Sequence, residues 1–470
     1  MLRLSSYTIL SSRMKSGGYC ILSGLTGAVD VIDEELYGYV SNKLQEADPH
    51  SIIFEEDELS DELREQWLER GYLVEYPHED ERELARVVSE SMHENAQKKH
   101  GIILVPDMDC NYRCVYCFEQ GLQASEGFGK ARRTAMTDEE VDQVFACIDA
   151  MGTGQDGINN ITLYGGEPLN AKNKDLLYRI VHMGTERGIS FGAITNAHDL
   201  DVYLPIIGTG KISSLQITVD GPKDIHDKRR IAMDGTSSYD AIFANIRRVL
   251  AETDATISLR INIDDGNVDG FEELLEAFHQ EGWLENTQFS VYTSIVTSPN
   301  PEKLVGNVIE AEQAEGKLRD VARKYKRVSV GGSASVGAGS MLQSLVDNQP
   351  FGLKSAYCGA AIGMLIFLTG GIVQSCWETI GQDISVIGSY SAAGLALDPD
   401  KSAAWFERST AKIPECLDCS YCLLCGGGCP QHALHQHGTL YKPFCQSFDK
   451  VNYPWILADA VERFLNILQL

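Results

Sequence analysis

Cys110, Cys114 and Cys117 stand in the stretch Met108-Asp109-Cys110-Asn111-Tyr112-Arg113-Cys114-Val115-Tyr116-Cys117 with C-x3-C-x2-C spacing. Thiolates spaced in this way can hold one iron–sulfur cube through three of its irons and leave the fourth without a protein ligand. A vacant iron is a place for chemistry. Zinc is the alternative, but a structural zinc site wants four closed ligands, and no nearby His or Cys completes the triplet. A second group follows far downstream: eight of the thirteen cysteines lie between Cys358 and Cys445. Its C-x2-C pair also suits a zinc ribbon, so this group alone leaves zinc and iron–sulfur both open.

The elements that must position the triplet alternate in type. Strand-like runs at Ile102 to Val105, Ile161 to Tyr164, Phe191 to Thr195, Leu215 to Val219, Ile257 to Ile263 and Gln288 to Tyr292 are separated by helical patterns, the signature of βα units around a parallel sheet. One helix is well marked: Thr137 to Glu140 matches a capping box, and Val141, Val144, Phe145 and Ile148 form an apolar stripe. Six strands are too few for a closed eight-stranded barrel, so an open, partial (β/α)6 TIM-like barrel is expected. The triplet then sits on a loop at the carboxyl edge of the sheet, where such folds bind ligands.

Upstream, β-like runs at Tyr7 to Leu10, Tyr19 to Leu22 and Ala28 to Ile32 precede two helices, near Asp33 to Gln45 and Ser60 to Arg70, the second ending at Gly71 before Tyr72-Leu73-Val74. Hairpin plus helices looks like a small winged-helix module. The charged segment from His78 to His100 reads as a polar connecting helix or linker. A long polar helix is expected over Pro301 to Lys326, and a Gly- and Ser-rich stretch from Val330 to Ser340 marks a junction.

Composition narrows the class. The chain has 470 residues, 43% hydrophobic and 23% charged, and a formal charge of -27. That acidity argues against a nucleic-acid surface and against docking on anionic lipid. No run reaches the length of a membrane span, and Arg3, Arg13 and Lys15 break the first residues, so no secretory signal is evident and a cytoplasmic location is expected. In a large acidic chain of that kind, thiolate ligation of metal is the better account of thirteen cysteines than disulfides.

With these residues in view, the triplet on a βα loop resembles the radical S-adenosylmethionine (radical SAM) superfamily. The resemblance implies that Cys110, Cys114 and Cys117 hold a 4Fe-4S cluster whose free iron chelates S-adenosylmethionine, with Tyr116 near the adenine. Gly165-Gly166-Glu167-Pro168 is similar to the family's GGEP element, which holds the methionyl amine; glycines allow close backbone approach and a carboxylate suits an ammonium. Thr218-Val219-Asp220-Gly221-Pro222, with His226-Asp227 and Arg230, is similar to the family's SxDGP and HDxxR stretch, Thr218 standing where Ser usually meets the ribose. Asn196 and Asn262 fall at strand ends where the family often contacts the cofactor.

The downstream cysteines resemble the seven-cysteine SPASM extension, which holds two auxiliary 4Fe-4S clusters. Carried over by position, Cys358, Cys376 and Cys429 belong to the first auxiliary cluster, and Cys416, Cys419, Cys425 and Cys445 to the second, giving three clusters in all. Cys422 falls outside the seven and is expected as a buried thiol, as are Cys20 and Cys147 in the core. His432, His435 and His437 are expected to be solvated or to sit behind the ligands.

The resulting architecture is an α/β chain in six parts: a winged-helix-like precursor-recognition domain over 1–85, a linker over 86–104, a radical SAM core over 105–300, a bridging region over 301–355, the SPASM domain over 356–450 and a C-terminal helix over 451–470. The N-terminal part resembles the leader-binding domain of maturases of ribosomally made peptides, in which a leader adds a strand to the hairpin edge. The resemblance implies a maturase that abstracts hydrogen from a precursor peptide and installs Cys thioether crosslinks, of ranthipeptide or sactipeptide type, with electrons from a flavodoxin- or ferredoxin-type donor. The alternatives are a carbon–carbon crosslinking maturase, a formylglycine-forming sulfatase maturase and, remotely, a zinc-stabilised scaffold.

Overall fold

The computed structural model describes residues 2–46, 50–55, 58–98, 100–117, 119, 135–154, 157–296, 318–322, 324–325, 327–330, 344–347, 352–445 and 453–468. The chain divides into two compact units, one formed by Met1–Lys98, Gly332–Ile362 and Glu407–Leu470, the other by Lys99–Gly331 and Gly363–Phe406.

The first unit opens with two small antiparallel sheets. In one, β1 (Leu2–Leu4) lies between β5 (Ile53–Phe54) and β6 (Leu73–Val74); the other is the meander of β2 (Thr8–Leu10), β3 (Tyr19–Ser23) and β4 (Val29–Ile32). Helix α1 (Glu34–Glu46) follows, then α2 (Asp61–Arg70), which starts where Ser60 Oγ accepts from the Leu63 N–H and stops at Gly71, left-handed at φ +78. Leu4, Ile21, Val40, Trp67 and Tyr72 form the core between them. The segment expected as a polar connector is one continuous helix, α3 (His78–Ala96), whose buried positions Glu81, Ala85, Ser89 and His93 recur every four residues. Glu81 pairs with Arg3 at 2.5 Å, both side chains buried, and this ion pair ties the helix to β1.

The second unit carries the βα repeats. The strands β7 (Ile102–Leu104), β9 (Asn160–Leu163), β10 (Ser190–Thr195), β11 (Ile212–Thr218), β13 (Thr256–Ile263) and β14 (Phe289–Ile295) are adjacent in chain order and parallel. A short strand, β8 (Tyr112–Cys114), lies off the sheet and pairs with β12 (Arg230–Ala232). The connecting helices are α4 (Asp138–Met151), α5 (Lys174–Thr185), α6 (Lys223–Arg229), α7 (Ser238–Glu252) and α8 (Phe271–Gln280). Thr137 and Glu140 make the expected capping box at the start of α4, and the stripe of Val141, Val144, Phe145 and Ile148 is buried. The six-stranded TIM-like barrel is present, and the sheet goes further than the repeats announced. Strand β15 (Val328–Ser329) extends one side; β16 (Leu365–Leu368), parallel to β7, extends the other, followed by antiparallel β17 (Ile372–Gln374), β18 (Val386–Ser391) and β19 (Gly394–Leu397) before α9 (Pro399–Phe406).

The chain then returns to the first unit with α10 (Pro414–Leu417), α11 (Cys422–Cys425), α12 (Pro430–His437) and α13 (Tyr453–Leu468). Ile9, Cys20 and Leu22 of the meander pack with Tyr421, Leu424, Tyr453 and Leu457, and Tyr7 and Ala85 pack with Cys416, Leu417 and Cys422. Tyr7 donates its hydroxyl to the Leu417 carbonyl at 2.5 Å, and Arg82 pairs with Asp418 at 2.8 Å. N-terminal strands and C-terminal cysteine turns thus share a core. Most of the polar helix expected over Pro301 to Lys326, and of the junction from Val330 to Ser340, lies outside the described residues.

Candidate active site

After β7 the chain leaves the sheet and runs through Cys110 into β8. The antiparallel pairing of β8 with β12, extended by Val115 N–H to Arg229 O at 3.0 Å and Met233 N–H to Asn111 O at 2.9 Å, staples the cysteine loop to the segment after α6. Cys110 Sγ accepts from the Tyr112 N–H at 3.4 Å and from Asn196 Nδ2 at 3.9 Å, and Asn196 Nδ2 also reaches Asn111 Oδ1 at 2.7 Å. Asn196 therefore sits against the loop, as the strand-end position implied. Burial pushes the Cys110 and Cys114 thiols above their ordinary range, and Arg230 pulls the other way at Cys114. Metal ligation by these groups must release protons.

Gly165-Gly166-Glu167 closes on the same loop from β9. Glu167 N–H donates to Asp109 O at 2.9 Å, and a Cβ on Gly166 would lie 2.3 Å from that carbonyl oxygen. Only glycine fits there. Glu167 is buried; its Oε1 accepts from the Leu169 N–H at 2.9 Å and Thr195 Oγ1 at 2.6 Å, and its Oε2 from the Asn196 N–H at 2.6 Å. Burial nevertheless holds its carboxyl up to about 7, so a cation arriving at this carboxylate would offset an existing cost. Beneath it, Asp107 is fully buried and takes Lys172 Nζ at 3.0 Å and Asn173 Nδ2 at 2.9 Å.

On the other flank Tyr116 is the hub. Its hydroxyl donates to Asp220 Oδ2 at 2.5 Å and accepts from Arg230 Nη1 at 2.7 Å and Asn262 Nδ2 at 3.1 Å. Asp220 also accepts from the Asn262 N–H at 3.3 Å, and its own N–H donates to His226 Nδ1 at 3.1 Å. Burial and the neighbouring Arg230 drive the His226 imidazole down to about 3, so the ring is neutral. Among the described residues the Nε of Arg230 and the Nε2 of His226 are buried without a hydrogen-bond partner, and Thr218 is buried at the end of β11.

The structure therefore gathers Cys110, Cys114, Tyr116, Gly166, Glu167, Asn196, Arg230 and Asn262 around one cysteine loop. Asp220, His226, Asp107, Asn111 and Lys172 were not assigned roles by the sequence. Asp220 and His226 lay inside a recognised motif, whereas nothing local marks Lys172. Among the described residues no three His, Cys, Asp or Glu side chains converge on a single metal ion. A four-iron cube spreads its ligand sulfurs over separate corners, so three thiols on one short loop, with a glycine cradle beside them, suit a cluster rather than one ion.

Residues 108–282 match the family model described as the Radical SAM superfamily. The chain carries a radical SAM domain. It is accordingly an enzyme of the superfamily that binds S-adenosylmethionine and a 4Fe-4S cluster. Aligned over 500 residues, which span 100% of this chain and 97% of the relative, it is 21% identical to the radical SAM cyclopropyl synthase TigE of Paramaledivibacter caminithermalis. Among solved structures, native anSMEcpe with bound AdoMet and the Cp18Cys peptide is similar with a TM-score of 0.57 and 14% identity, covering 79% of this chain and 99% of that one. Native anSMEcpe with AdoMet gives 0.56 at 15% identity over 78% of this chain and 99% of that one. The structural likeness is one of fold.

The downstream cysteines divide between the units. Cys376 lies just past β17 in the second unit and is buried. Cys358, Cys416, Cys419, Cys425, Cys429 and Cys445 lie in the first. Cys422 is buried among Tyr7, Leu25, Ile413 and Leu423; Cys20 and Cys147 are buried too. His432 stacks edge-on against Phe444 at 4.7 Å, while His435 and His437 are exposed. No described helix is long and apolar enough to cross a membrane.

Proposed function

We propose that this chain is a radical SAM maturase of ribosomally made peptides. The observation that carries the proposal is an open strand edge in a chain that also holds a radical SAM domain. Cys20 directs its N–H to Ser11 Oγ and its C=O to the Ser11 N–H, so the facing residue of β4, Val31, turns its own N–H and C=O away from β3. Val31 is 52% exposed, and β4 pairs only with β3 among the described residues. Such an edge takes an extended peptide as an added strand. One register position is already used: Arg70 Nη2 caps the Val29 carbonyl at 2.8 Å.

In this proposal Cys110, Cys114 and Cys117 hold the cluster, Glu167 takes the methionyl ammonium, Tyr116 lies near the adenine, Thr218 meets the ribose, and Gly165, Asn196, Arg230 and Asn262 shape the remaining wall. When bound, the cluster supplies the electron that splits S-adenosylmethionine into methionine and a 5'-deoxyadenosyl radical. The peptide then gives up one hydrogen atom to form 5'-deoxyadenosine, and bond closure releases a second as a proton with its electron. Buried side chains around Glu167 and Asp220 exclude water from so reactive a species. Cys358, Cys376 and Cys429, and Cys416, Cys419, Cys425 and Cys445, would hold two auxiliary clusters able to accept the electron released on bond closure, and a flavodoxin- or ferredoxin-type partner would be the electron donor.

For the bond itself, the full-length similarity to a cyclopropyl synthase favours carbon–carbon closure within the peptide. The cysteine pattern favours a thioether. Reconstituted anaerobically with S-adenosylmethionine, reductant and a precursor peptide, the enzyme should form 5'-deoxyadenosine and remove a hydrogen pair from the peptide. Formation of 5'-deoxyadenosine with no peptide mass change would sink the maturase assignment. Alkylation of the product separates the bonds, since a thioether consumes a titratable thiol and a carbon–carbon bond does not.

A further inference from the structure

Between α9 and α10 lies a cation that the mechanism above does not use. Arg408 is fully buried. Its Nε donates to Leu440 O at 2.5 Å and its Nη2 to Gly427 O at 2.8 Å and Lys442 O at 3.2 Å, while Nη1 is buried with no acceptor among the described residues. Among the described residues no carboxylate pairs with it. An uncompensated buried charge is strongly unfavourable, so a chain that keeps one must set negative charge against it.

The guanidinium lies against the cysteine turn: Gly427, whose carbonyl it takes, stands between Cys425 and Cys429, and a Cβ on Gly427 would lie 3.5 Å from Nη1. Cys358, Cys416, Cys429 and Cys425 are near enough to act on Arg408 electrostatically. The backbone presses them together. Gly426, Gly427 and Gly428 are consecutively left-handed; a Cβ on Gly426 would lie 2.3 Å from the Ala356 carbonyl carbon and one on Gly428 would collide with the Phe444 oxygen. The Cys425–Cys429 turn is thereby held against the segments that lead to Cys358 and Cys445. Lys354, half-buried, is a second cation near enough to act on Cys425 and Cys358. Thiols are the donor set an iron–sulfur cluster takes, and the glycine turn sets Cys425 and Cys429 against the segments that lead to Cys358 and Cys445.

We propose that Arg408 is the fixed counter-cation of the auxiliary iron–sulfur cluster assigned to Cys416, Cys419, Cys425 and Cys445, all in the first unit, and that it sets the reduction potential there. The proposal rests on the assignment of auxiliary clusters made above. Reduction adds one electron, hence one negative charge, to a cluster. A buried cation stabilises that reduced form most, because little solvent screens it.

The test uses the full chain with Cys110, Cys114 and Cys117 replaced by alanine, so that only the downstream cysteines bind iron. Iron and sulfide content are measured after anaerobic reconstitution, and midpoint potentials by dithionite titration followed by electron paramagnetic resonance, for Arg408, Arg408→Gln and Arg408→Lys. Arg408→Gln should titrate at a more negative potential and Arg408→Lys close to the parent; loss of iron in Gln but not Lys supports the same conclusion. Equal shifts in both, no shift in either, or loss of iron from both would overturn it, the last marking Arg408 as a backbone anchor only. Absence of iron and sulfide from the parent itself would instead overturn the auxiliary-cluster assignment, and the Arg408 proposal with it.

Discussion

The Tyr116 hydroxyl donates to Asp220 Oδ2 at 2.5 Å, joining a residue between Cys114 and Cys117 to one that follows strand β11. More than a hundred residues of chain separate them, and the same hydroxyl accepts from Arg230. The aromatic ring and the guanidinium are therefore positioned by one oxygen.

Removing that oxygen should be costly on both counts. Tyr116→Phe leaves the Arg230 Nη1 unpaired in a buried site and takes a donor from Asp220, a loss of about 1–3 kcal/mol. The variant should melt earlier than the parent and bind S-adenosylmethionine roughly tenfold more weakly by equilibrium dialysis. Unchanged affinity would detach Tyr116 from the cofactor site.

His226 predicts an acid-side instability. Its folded imidazole titrates near 3, below the ordinary His value of about 6.5, so the unfolded chain binds the extra proton first. The stability this neutral ring contributes is present above about pH 6.5 and is lost as pH falls toward 3. Between pH 7.5 and 5.5 the parent should lose about 1 kcal/mol more than His226→Gln in urea unfolding. Parallel pH profiles would rule the ring out as the source.

The cysteines should sort by metal content. Replacing Cys110, Cys114 and Cys117 by alanine should remove about four irons per chain and abolish S-adenosylmethionine cleavage. Cys20→Ala and Cys147→Ala, both in apolar cores, should keep full iron and cost about 1 kcal/mol of stability. Loss of iron from either would reassign it.

The open edge of β4 can be closed by one residue. Val31→Pro removes an outward N–H, so a fluorescently labelled leader peptide should bind at least about tenfold more weakly, with S-adenosylmethionine cleavage unchanged. Deleting the N-terminal part is a poorer test, because Ile9, Cys20 and Leu22 belong to the core shared with Tyr421 and Tyr453. A leader that binds Val31→Pro with parent affinity would move the recognition site elsewhere.

Spacing alone determined much of this protein. The C-x3-C-x2-C loop, the glycine pair with Glu167, the capping box at Thr137 and the six βα repeats were all legible, because each is set by neighbours a few residues apart and by the period of one strand or helix. Strands β16 to β19 were not, since their pairing depends on partners far away in the chain rather than on any local period.

Only the tertiary structure decided which distant polar groups meet. Asp220 was visible in a motif, but that its carboxylate anchors Tyr116 follows from two loops of the sheet being brought to one edge. Arg408 carries no local signal at all; burial, three carbonyl acceptors and neighbouring cysteines give it meaning. The N-terminal meander and the C-terminal cysteine turns stand far apart in the chain, yet Ile9, Cys20 and Leu22 pack in one core with Tyr421, Leu424, Tyr453 and Leu457. Local spacing announces a ligand or a helix cap; the burial that makes a charge consequential is a property of the folded chain.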